Sequence, residues 1–330
     1  MTTEVALAAG SGHLLVLEPR SPQYSLAMRS SAASAVAHGL CAFTLTPTTP
    51  ADEIDERAIQ TLVARAAAAG VDSLGVLGST GSYPYLTRDQ RLRVATTAVE
   101  HAQGLPVLVG VGAIATRMVL DHVEDAQQAG AAGVLLPVMQ YQPLTETEAY
   151  GLFEQVDANL SVPLVVYDNP ATTRFSFSDD LYARVAELPN VAAIKVPPLP
   201  RDRAAARRRV EHLRGLLPAG VAIGVSGDAA ACAGLLGGAD AWYSVIGGTL
   251  PERAVALARA AIGGDYREAM RRDAELAPLW GFFAENGGSL RVVAAIAEEL
   301  GLVRSSSLPA PLRGLDEPAR IKLRALLGLV

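Results

Sequence analysis

Lysine is almost absent from this chain. Of its 28 basic residues, only Lys195 and Lys322 are lysines, and the other 26 are arginines. Where arginine fills nearly every basic position, a lysine that remains indicates a task that a permanently charged guanidinium cannot perform. Lys322 lies in a charged stretch near the C-terminus, where a solvated helix face accounts for it. Lys195 is therefore the candidate for chemistry.

Paired cysteines, metal-binding patterns and long apolar runs are also lacking. Cys41 and Cys232 stand in separate apolar contexts without a CxxC spacing, so we expect two buried thiols. The five histidines show no metal-ligand spacing, and neither a metal nor another cofactor is expected. No apolar run reaches the roughly 18 residues of a membrane-spanning helix, and no leader pattern opens the sequence. These absences favour a cytoplasmic protein.

Composition and charge exclude two further classes of protein. Of the residues, 50% are hydrophobic and 19% are charged, which predicts a large core rather than disorder. The net charge is −6, and the one basic run, Arg201–Arg209, contains no aromatic residues. We interpret this run as a solvated helix face or a loop insertion, and no nucleic-acid partner is expected.

The chain repeats one pattern, in which a short apolar run ending in small or polar residues precedes an amphipathic stretch rich in Ala, Arg and Glu. Near-continuous hydrophobicity is what parallel strands buried on both faces require, so the runs predict strands. The eight runs are Leu40–Leu45, Ser73–Leu77, Pro106–Val111, Gly133–Leu136, Pro163–Tyr167, Val191–Lys195, Val221–Val225 and Ala241–Ile246.

This repeat predicts an α/β protein, a closed (β/α)₈ TIM barrel with a C-terminal helical extension. Such units also build doubly wound sheets, but eight equivalent units without a Gly-rich dinucleotide fingerprint favour the barrel. Thr87 and Thr145 are expected to cap two of the intervening helices. We expect an N-terminal extension over residues 1–35, the barrel over 36–250 and a helical bundle over 251–330.

Lys195 ends the sixth apolar run, and barrel enzymes build their sites at the C-terminal ends of their strands. A lysine at that point is directed into the barrel mouth. Partial desolvation there lowers the pKa of an ammonium group and frees the amine to attack a carbonyl. The alternative is a strand-end lysine paired with a carboxylate.

Polar residues follow three other strands. The second run leads into a Gly-Ser-Thr-Gly segment, residues 78–81, whose open backbone N–H groups suit a carboxylate, although a plain glycine-rich turn is equally compatible. The fifth run ends at Tyr167, a residue that can shuttle a proton or merely cover the barrel mouth. The seventh run is followed by Ser-Gly-Asp at residues 226–228.

Taken in order, these motifs resemble those of one family. The motifs are GSTG at 78–81, Y-x-N-P at 167–170, I-K at 194–195 and SGD at 226–228, with a spacing of 28 residues from Tyr167 to Lys195. They are similar to the motifs of the dihydrodipicolinate synthase and N-acetylneuraminate lyase family of pyruvate-dependent class I aldolases. The resemblance covers about residues 38–305 and implies the same barrel.

The resemblance also implies roles for individual residues. Lys195 would form the Schiff base, Tyr167 would move protons, and Ser79 and Thr80, between Gly78 and Gly81, would hold the carboxylate of a 2-oxo acid. Gly227 and Asp228 would line the pocket of the second substrate, an aldehyde. The protonated imine would itself be the electron sink, so the chemistry needs no metal. Family analogy further implies a homo-oligomer, a tetramer or a dimer.

Several positions depart from the family pattern. Ser82 stands where the family commonly has glutamate, and Thr172 stands where true dihydrodipicolinate synthases have an arginine that binds the second substrate. Tyr141 is the only candidate for the family's second tyrosine, in a segment one residue longer than usual. Residues 197–209 replace a shorter loop. We therefore expect a divergent member with a different acceptor aldehyde rather than an enzyme of lysine biosynthesis.

Three functional hypotheses remain open at this point. The first is a class I aldolase or lyase that joins or cleaves a 2-oxo acid and an aldehyde. The second is a Schiff-base dehydratase or decarboxylating dehydratase acting on a sugar acid. The third is a non-catalytic barrel that binds a small molecule, a function that would not require Lys195, Tyr167 and Thr80 together.

Overall fold

Eight parallel strands close into one barrel, paired in chain order from the first to the eighth and back to the first. The computed structural model describes residues 35–304 and 307–329. Every apolar run predicted as a strand forms one, which confirms the TIM barrel. The strands are β1 Gly39–Phe43, β2 Ser73–Val76, β3 Val107–Gly110, β4 Gly133–Pro137, β5 Leu164–Tyr167, β6 Val191–Val196, β7 Ala222–Val225 and β8 Ala241–Ser244.

Helices connect the strands and surround them. Thr87 and Thr145 cap two of these helices through reciprocal bonds with Gln90 and Glu148, as predicted. The helices are α1 Glu56–Ala68, α2 Arg88–His101, α3 Thr116–Gln128, α4 Glu146–Asp157, α5 Pro170–Thr173, α6 Asp179–Ala186, α7 Arg203–Leu216, α8 Asp228–Leu236, α9 Pro251–Ile262, α10 Tyr266–Glu285, α11 Ser289–Glu299 and α12 Glu317–Leu327.

Side chains alternate between the barrel interior and the helical layer. In β5, Val165 and Tyr167 belong to the interior cluster, whereas Leu164 and Val166 pack with the helices. Both faces of each strand are buried, which explains why the runs are apolar throughout rather than alternating. Successive residues at a strand end therefore face different layers, and this parity decides which of them reach the barrel mouth.

Tyr243 fills the lower part of the barrel interior. Its hydroxyl donates to the carbonyl of Val36 at 3.1 Å, so the ring spans from β8 towards the segment that precedes β1. Gly224 on β7 makes room for it, because a Cβ at that position would lie 2.1 Å from Cε2 of Tyr243. Side chains thus fill the barrel interior on the side of Val36, and in TIM barrels the active site lies at the opposite, C-terminal end of the strands.

The C-terminal helices begin as part of the barrel. Helix α9 contacts β1, α1 and α8, so it takes the eighth place in the helical ring. We therefore propose that the barrel extends to Ile262, one helix beyond the boundary expected at residue 250. Helix α12 is joined to α11 by Arg320, whose guanidinium lies 2.6 Å from the buried carboxylate of Glu298. Of the expected N-terminal extension over 1–35, residues 1–34 lie outside the described residues.

Other features of the sequence have simple structural outcomes. Cys41 and Cys232 are free and buried, as predicted. Much of the basic run lies on α7, where Arg207 pairs with Glu211 and Arg209 with Asp179, in accord with a solvated helix face. Within the described ranges, no helix has the length and apolar character that crossing a membrane requires.

Candidate active site

Lys195 lies on β6 with its side chain inside the barrel mouth, where it is only 5% exposed. Three aromatic rings surround its ammonium nitrogen. Nζ lies 4.0 Å from the ring centroid of Phe43, 4.3 Å from that of Tyr167 and 5.4 Å from that of Tyr243. These rings stabilise a cation but neutralise no charge, so Lys195 occupies an aromatic cage rather than an ion pair.

Burial sets the electrostatics of this lysine. Desolvation lowers the pKa of Lys195 below its ordinary value of 10.5, against the opposing influence of Tyr167, Cys41 and Asp228. In the described part of the chain, no carboxylate forms a salt bridge with Lys195. The neighbouring Cys41 adds little negative charge, since burial raises the pKa of its thiol to about 12. This geometry therefore argues against the alternative in which Lys195 pairs with a carboxylate.

The Gly-Ser-Thr-Gly segment forms a tight turn directly after β2. The residue just before this segment, Leu77, has a φ of 57°, an uncommon left-handed conformation for a residue with a side chain. Ser79–Gly81 then makes a single 3₁₀ turn. The N–H groups of Ser79 and Thr80 come first in this turn, so they have no hydrogen-bond partner within it. The backbone thus presents two donors at the barrel mouth.

Glycine is required beside this turn for steric reasons. A Cβ at Gly78 would lie 2.7 Å from Cδ1 of Phe43, and one at Gly75 would lie 2.6 Å from Cζ of the same ring. The ring of Phe43 is therefore packed flat between the turn and Lys195. Thr80 is buried at the same turn, and Ser79 is half-buried.

Tyr167 links this turn to the end of β5. Its hydroxyl lies 3.0 Å from Oγ of Ser79 and accepts a hydrogen bond from Nδ2 of Asn169 at 2.7 Å. Tyr167 is buried, and its ring faces Lys195. Lys195, Tyr167 and Ser79, three residues predicted from strand ends, are thus brought into one cluster that can exchange protons.

The segment after β7 differs from the expectation. Asp228 is 4% exposed, and its carboxylate accepts bonds from Nε1 of Trp242 at 3.0 Å and from the N–H groups of Val245 at 3.1 Å and Ile246 at 2.8 Å. These donors occupy both oxygens, so Asp228 holds β8 to the start of α8 rather than offering a free carboxylate to substrate. Gly227 has a φ of 75°, and a Cβ there would lie 2.6 Å from Cγ of Pro198.

Two predicted residues lie apart from the cluster. The side chain of Tyr141 is 84% exposed, in the connection between β4 and α4. Thr172 is exposed on α5, where its hydroxyl donates to the carbonyl of Asn169 at 3.2 Å. In the described chain neither side chain is bonded to Lys195 or Tyr167, so this single chain does not bring them together with the reactive groups.

Three residues at the site were missed by sequence reasoning. Phe43 and Tyr243 complete the aromatic cage, and their inward direction is decided by strand parity, which the uniformly apolar runs conceal. Asn169 belongs to the Y-x-N-P motif, but the motif alone assigns it no role. Its position two residues after Tyr167, at the start of a short helix, was the signal that could have indicated a contact.

Reactive side chains gathered at the carboxyl ends of barrel strands are the arrangement of a barrel enzyme. The chain matches the model of the Dihydrodipicolinate synthetase family over residues 36–329, and it belongs to that family. It is accordingly a carbon–carbon lyase of the aldolase type.

Similarity to individual relatives extends over most of the chain. The crystal structure of a dihydrodipicolinate synthase from Agrobacterium tumefaciens is 42% identical with a TM-score of 0.86, and the match covers 90% of this chain and 99% of that one. A 4-hydroxy-tetrahydrodipicolinate synthase of Nitrobacter hamburgensis is 30% identical over 82% of this chain and 85% of its own length. This level of identity fits a divergent member.

A third relative was solved with a small molecule bound. The crystal structure of YagE from E. coli K12, a prophage protein of the dihydrodipicolinic acid synthase family, is a complex with pyruvate. It is 26% identical to this chain with a TM-score of 0.81, and the match covers 88% of this chain and 98% of YagE.

Proposed function

We propose that this protein is a class I aldolase or lyase in which Lys195 forms a Schiff base with pyruvate or a similar 2-oxo acid, an aldehyde being the second substrate. The observation that carries the proposal is the buried amine of Lys195, which lies among aromatic rings and forms no salt bridge with a carboxylate of the described residues. Burial favours the neutral amine, which is the nucleophile that imine formation requires. The pyruvate complex of YagE supports a small 2-oxo acid as the ligand.

The first covalent step joins Nζ of Lys195 to the carbonyl carbon of the 2-oxo acid. The neutral carbinolamine that results loses its hydroxyl group as water, with one proton supplied by Tyr167. The protonated imine and the phenolate of Tyr167 remain, so charge is conserved. The phenolate then removes a proton from the carbon next to the imine, which gives the enamine and restores the phenol. The enamine carbon attacks the aldehyde carbon, which regenerates the protonated imine while the aldehyde oxygen takes the proton of Tyr167 and becomes a hydroxyl group. Water then hydrolyses the imine, the phenolate of Tyr167 recovers a proton, and Lys195 is released; retro-aldol cleavage is the reverse of this sequence.

The turn after β2 would hold the carboxylate of the 2-oxo acid. The N–H groups of Ser79 and Thr80 begin the 3₁₀ turn unpaired within it, and Gly78 and Gly81 let the backbone approach closely. The hydroxyl of Ser79, 3.0 Å from that of Tyr167, would connect the carboxylate with the proton-transfer group. Thr80 would complete the pocket wall.

The aldehyde would enter from the side of β7 and α5. Gly227 lies there after β7, and Thr172 lies on α5 after β5. Tyr141, exposed on a single chain, would act only across a contact with a second copy. A homo-oligomer, dimer or tetramer, therefore stays part of the proposal, and the cytoplasmic location expected from the sequence stays a prediction.

The decisive experiment is reductive trapping. The wild-type protein is incubated with pyruvate and other 2-oxo acids, reduced with sodium borohydride, digested and mapped by mass spectrometry. The proposal requires one adduct on the peptide containing Lys195. No adduct with any 2-oxo acid, in a protein that binds them, would instead favour a non-catalytic barrel. Product analysis with sugar acids distinguishes an aldolase from a dehydratase. An aldolase releases pyruvate and an aldehyde, whereas a dehydratase releases water and a deoxy acid.

The rate of trapping is expected to rise with pH and to level off below pH 10.5, the ordinary lysine value. Only the neutral amine attacks, and the lowered pKa of Lys195 completes its deprotonation earlier than for an exposed lysine. Initial rates of trapping with cyanoborohydride over a pH series measure this. The control is Nα-acetyl-lysine, whose ε-amine is free and exposed to solvent. If the rate profile of the protein inflects at the same pH as that of the control, or at a higher pH, burial does not destabilise the charged form of Lys195.

Condensation with aspartate semialdehyde is expected to be weak or absent. Thr172 replaces the arginine that binds the second substrate in true dihydrodipicolinate synthases, and loss of such a charge-assisted bond costs roughly 100-fold. A coupled assay for dihydrodipicolinate measures it, and Thr172→Arg should increase the rate. Efficient condensation by the wild type would refute the expectation. Arg174 lies two residues after Thr172, and loss of condensation in Arg174→Ala would then assign the missing contact to Arg174.

A further inference from the structure

Asn169 is the one amide side chain bonded to the hydroxyl of Tyr167 in the described part of the chain. Its Nδ2 lies 2.7 Å from the phenol oxygen, closer than Oγ of Ser79 at 3.0 Å. An amide NH₂ group only donates, so the phenol oxygen must accept this bond. The proton of Tyr167 is then directed away from Asn169, towards Ser79 or the substrate.

The backbone of Asn169 is held firmly in place. Its carbonyl accepts bonds from the N–H groups of Thr172 and Thr173, both at 3.0 Å, and from the hydroxyl of Thr173 at 3.0 Å. Asn169 is also the residue that precedes the proline of α5, with φ −148° and ψ 78°, outside the helical region. The amide therefore meets Tyr167 from a preorganised position rather than from a free loop.

We propose that Asn169 is a positioning residue for the proton transfers of Tyr167: it orients the phenol and stabilises the phenolate that forms when Tyr167 gives its proton to the departing hydroxyl group. This inference rests on the proposed Schiff-base function. A hydrogen bond from N–H to a charged oxygen is stronger than one to a neutral oxygen, so the stabilisation is greatest after the proton has left. Asn169 thereby assists the reaction more than the binding of substrate.

Asn169 gives the hydroxyl of Tyr167 a second hydrogen-bonding partner within the same chain. The family resemblance assigned a second tyrosine to the site, yet Tyr141 is 84% exposed here. Asn169, from the turn after the same strand as Tyr167, occupies a hydrogen-bonding position on the phenol. Ser79 and Asn169 are thus the two partners that this chain itself provides for the hydroxyl of Tyr167.

Two substitutions separate a hydrogen-bonding role from a purely structural one. Asn169→Leu removes the amide at similar volume, and Asn169→Asp keeps the shape but replaces the donor with an acceptor. Exchange of the pyruvate methyl protons in D₂O, followed by NMR, measures imine and enamine formation without any aldehyde. Both variants are expected to lower kcat for exchange roughly 10- to 100-fold with KM nearly unchanged, the loss of one charge-assisted bond. Asn159→Leu, an exposed asparagine whose amide bonds within its own helix end, is the matched control.

The outcomes distinguish this inference from the proposed function. If Asn169→Asp exchanges protons at the wild-type rate, the amide donor is not used and the inference is overturned, even if Asn169→Leu fails to fold. A rise in KM at constant kcat would overturn it as well, because it would place Asn169 in substrate binding. If the wild type itself gives neither exchange nor a borohydride adduct on Lys195, the Schiff-base function fails, and the inference with it.

Discussion

Lys195→Arg is expected to abolish turnover and borohydride trapping while leaving the barrel folded. The substitution keeps the positive charge and most of the side-chain length, but a guanidinium group cannot be deprotonated in proteins and cannot form an imine. Loss of a covalent nucleophile is expected to lower turnover by on the order of 10⁴-fold or more. Pyruvate exchange in D₂O and peptide mapping after reduction measure the two losses.

The chain supplies its own control for this experiment. Lys322 is the only other lysine, and its side chain is 70% exposed and 3.6 Å from Glu285. Lys322→Arg preserves that ion pair and should leave activity and adduct unchanged. Because the larger guanidinium must fit between Phe43 and Tyr167, Lys195→Met serves as a second, uncharged variant, with thermal unfolding to verify the fold. A folded Arg variant with normal turnover, or an adduct on Lys322, would contradict the Schiff-base assignment.

The strands could be predicted from the sequence because parallel barrel strands are buried on both faces. The expected run Val191–Lys195 and the observed β6, Val191–Val196, differ by one residue, and both end at the barrel mouth. The barrel boundary was harder to place. Helix α9 closes the ring, but its sequence has the same amphipathic character as the helices that follow it, so composition alone could not separate them.

The site was predicted to the extent that strand ends determine it. Lys195 and Tyr167 end their apolar runs and Ser79 follows one, and the C-terminal ends of barrel strands converge, so the proximity of the three residues could be anticipated. The sequence does not reveal which polar groups form hydrogen bonds with one another in the folded chain. Asp228 follows β7 like a ligand for substrate, yet Trp242 and the backbone after β8 occupy its carboxylate. Such pairing depends on three-dimensional contacts between separate strands.

The aromatic cage illustrates the same limit. Phe43 is one of five residues of β1, and nothing in Gly-Leu-Cys-Ala-Phe distinguishes inward from outward positions. Its direction is fixed by the register of β1 against β2, which pairs Phe43 with Gly75. The small residue opposite admits the ring, and the ring in turn reaches Lys195. The position of a lysine at a strand end can therefore be predicted from the sequence, but its surroundings cannot. They depend on which side chains the strand register directs into the barrel.

Tyr167→Phe is expected to slow imine formation by roughly 10²- to 10⁴-fold, the usual contribution of general acid–base catalysis, without preventing it. The ring remains beside Lys195, so the aromatic cage and the buried amine persist, and Nζ can still attack the carbonyl. What is lost is the proton for the departing hydroxyl group, which water must then supply. The borohydride adduct should still map to the peptide containing Lys195, at a much lower initial rate.

The control for this substitution is Tyr150→Phe on the outer helix α4, where the ring of Tyr150 lies 4.4 Å from the guanidinium carbon of Arg184. That variant also loses one phenol hydroxyl, but far from the barrel mouth, and should trap pyruvate at the wild-type rate. Combining Tyr167→Phe with Asn169→Leu should add little further loss, since the amide acts through the phenol oxygen. Trapping by Tyr167→Phe at the full wild-type rate would show that another group supplies the proton. Fully additive losses in the double variant would show that Asn169 acts independently of Tyr167.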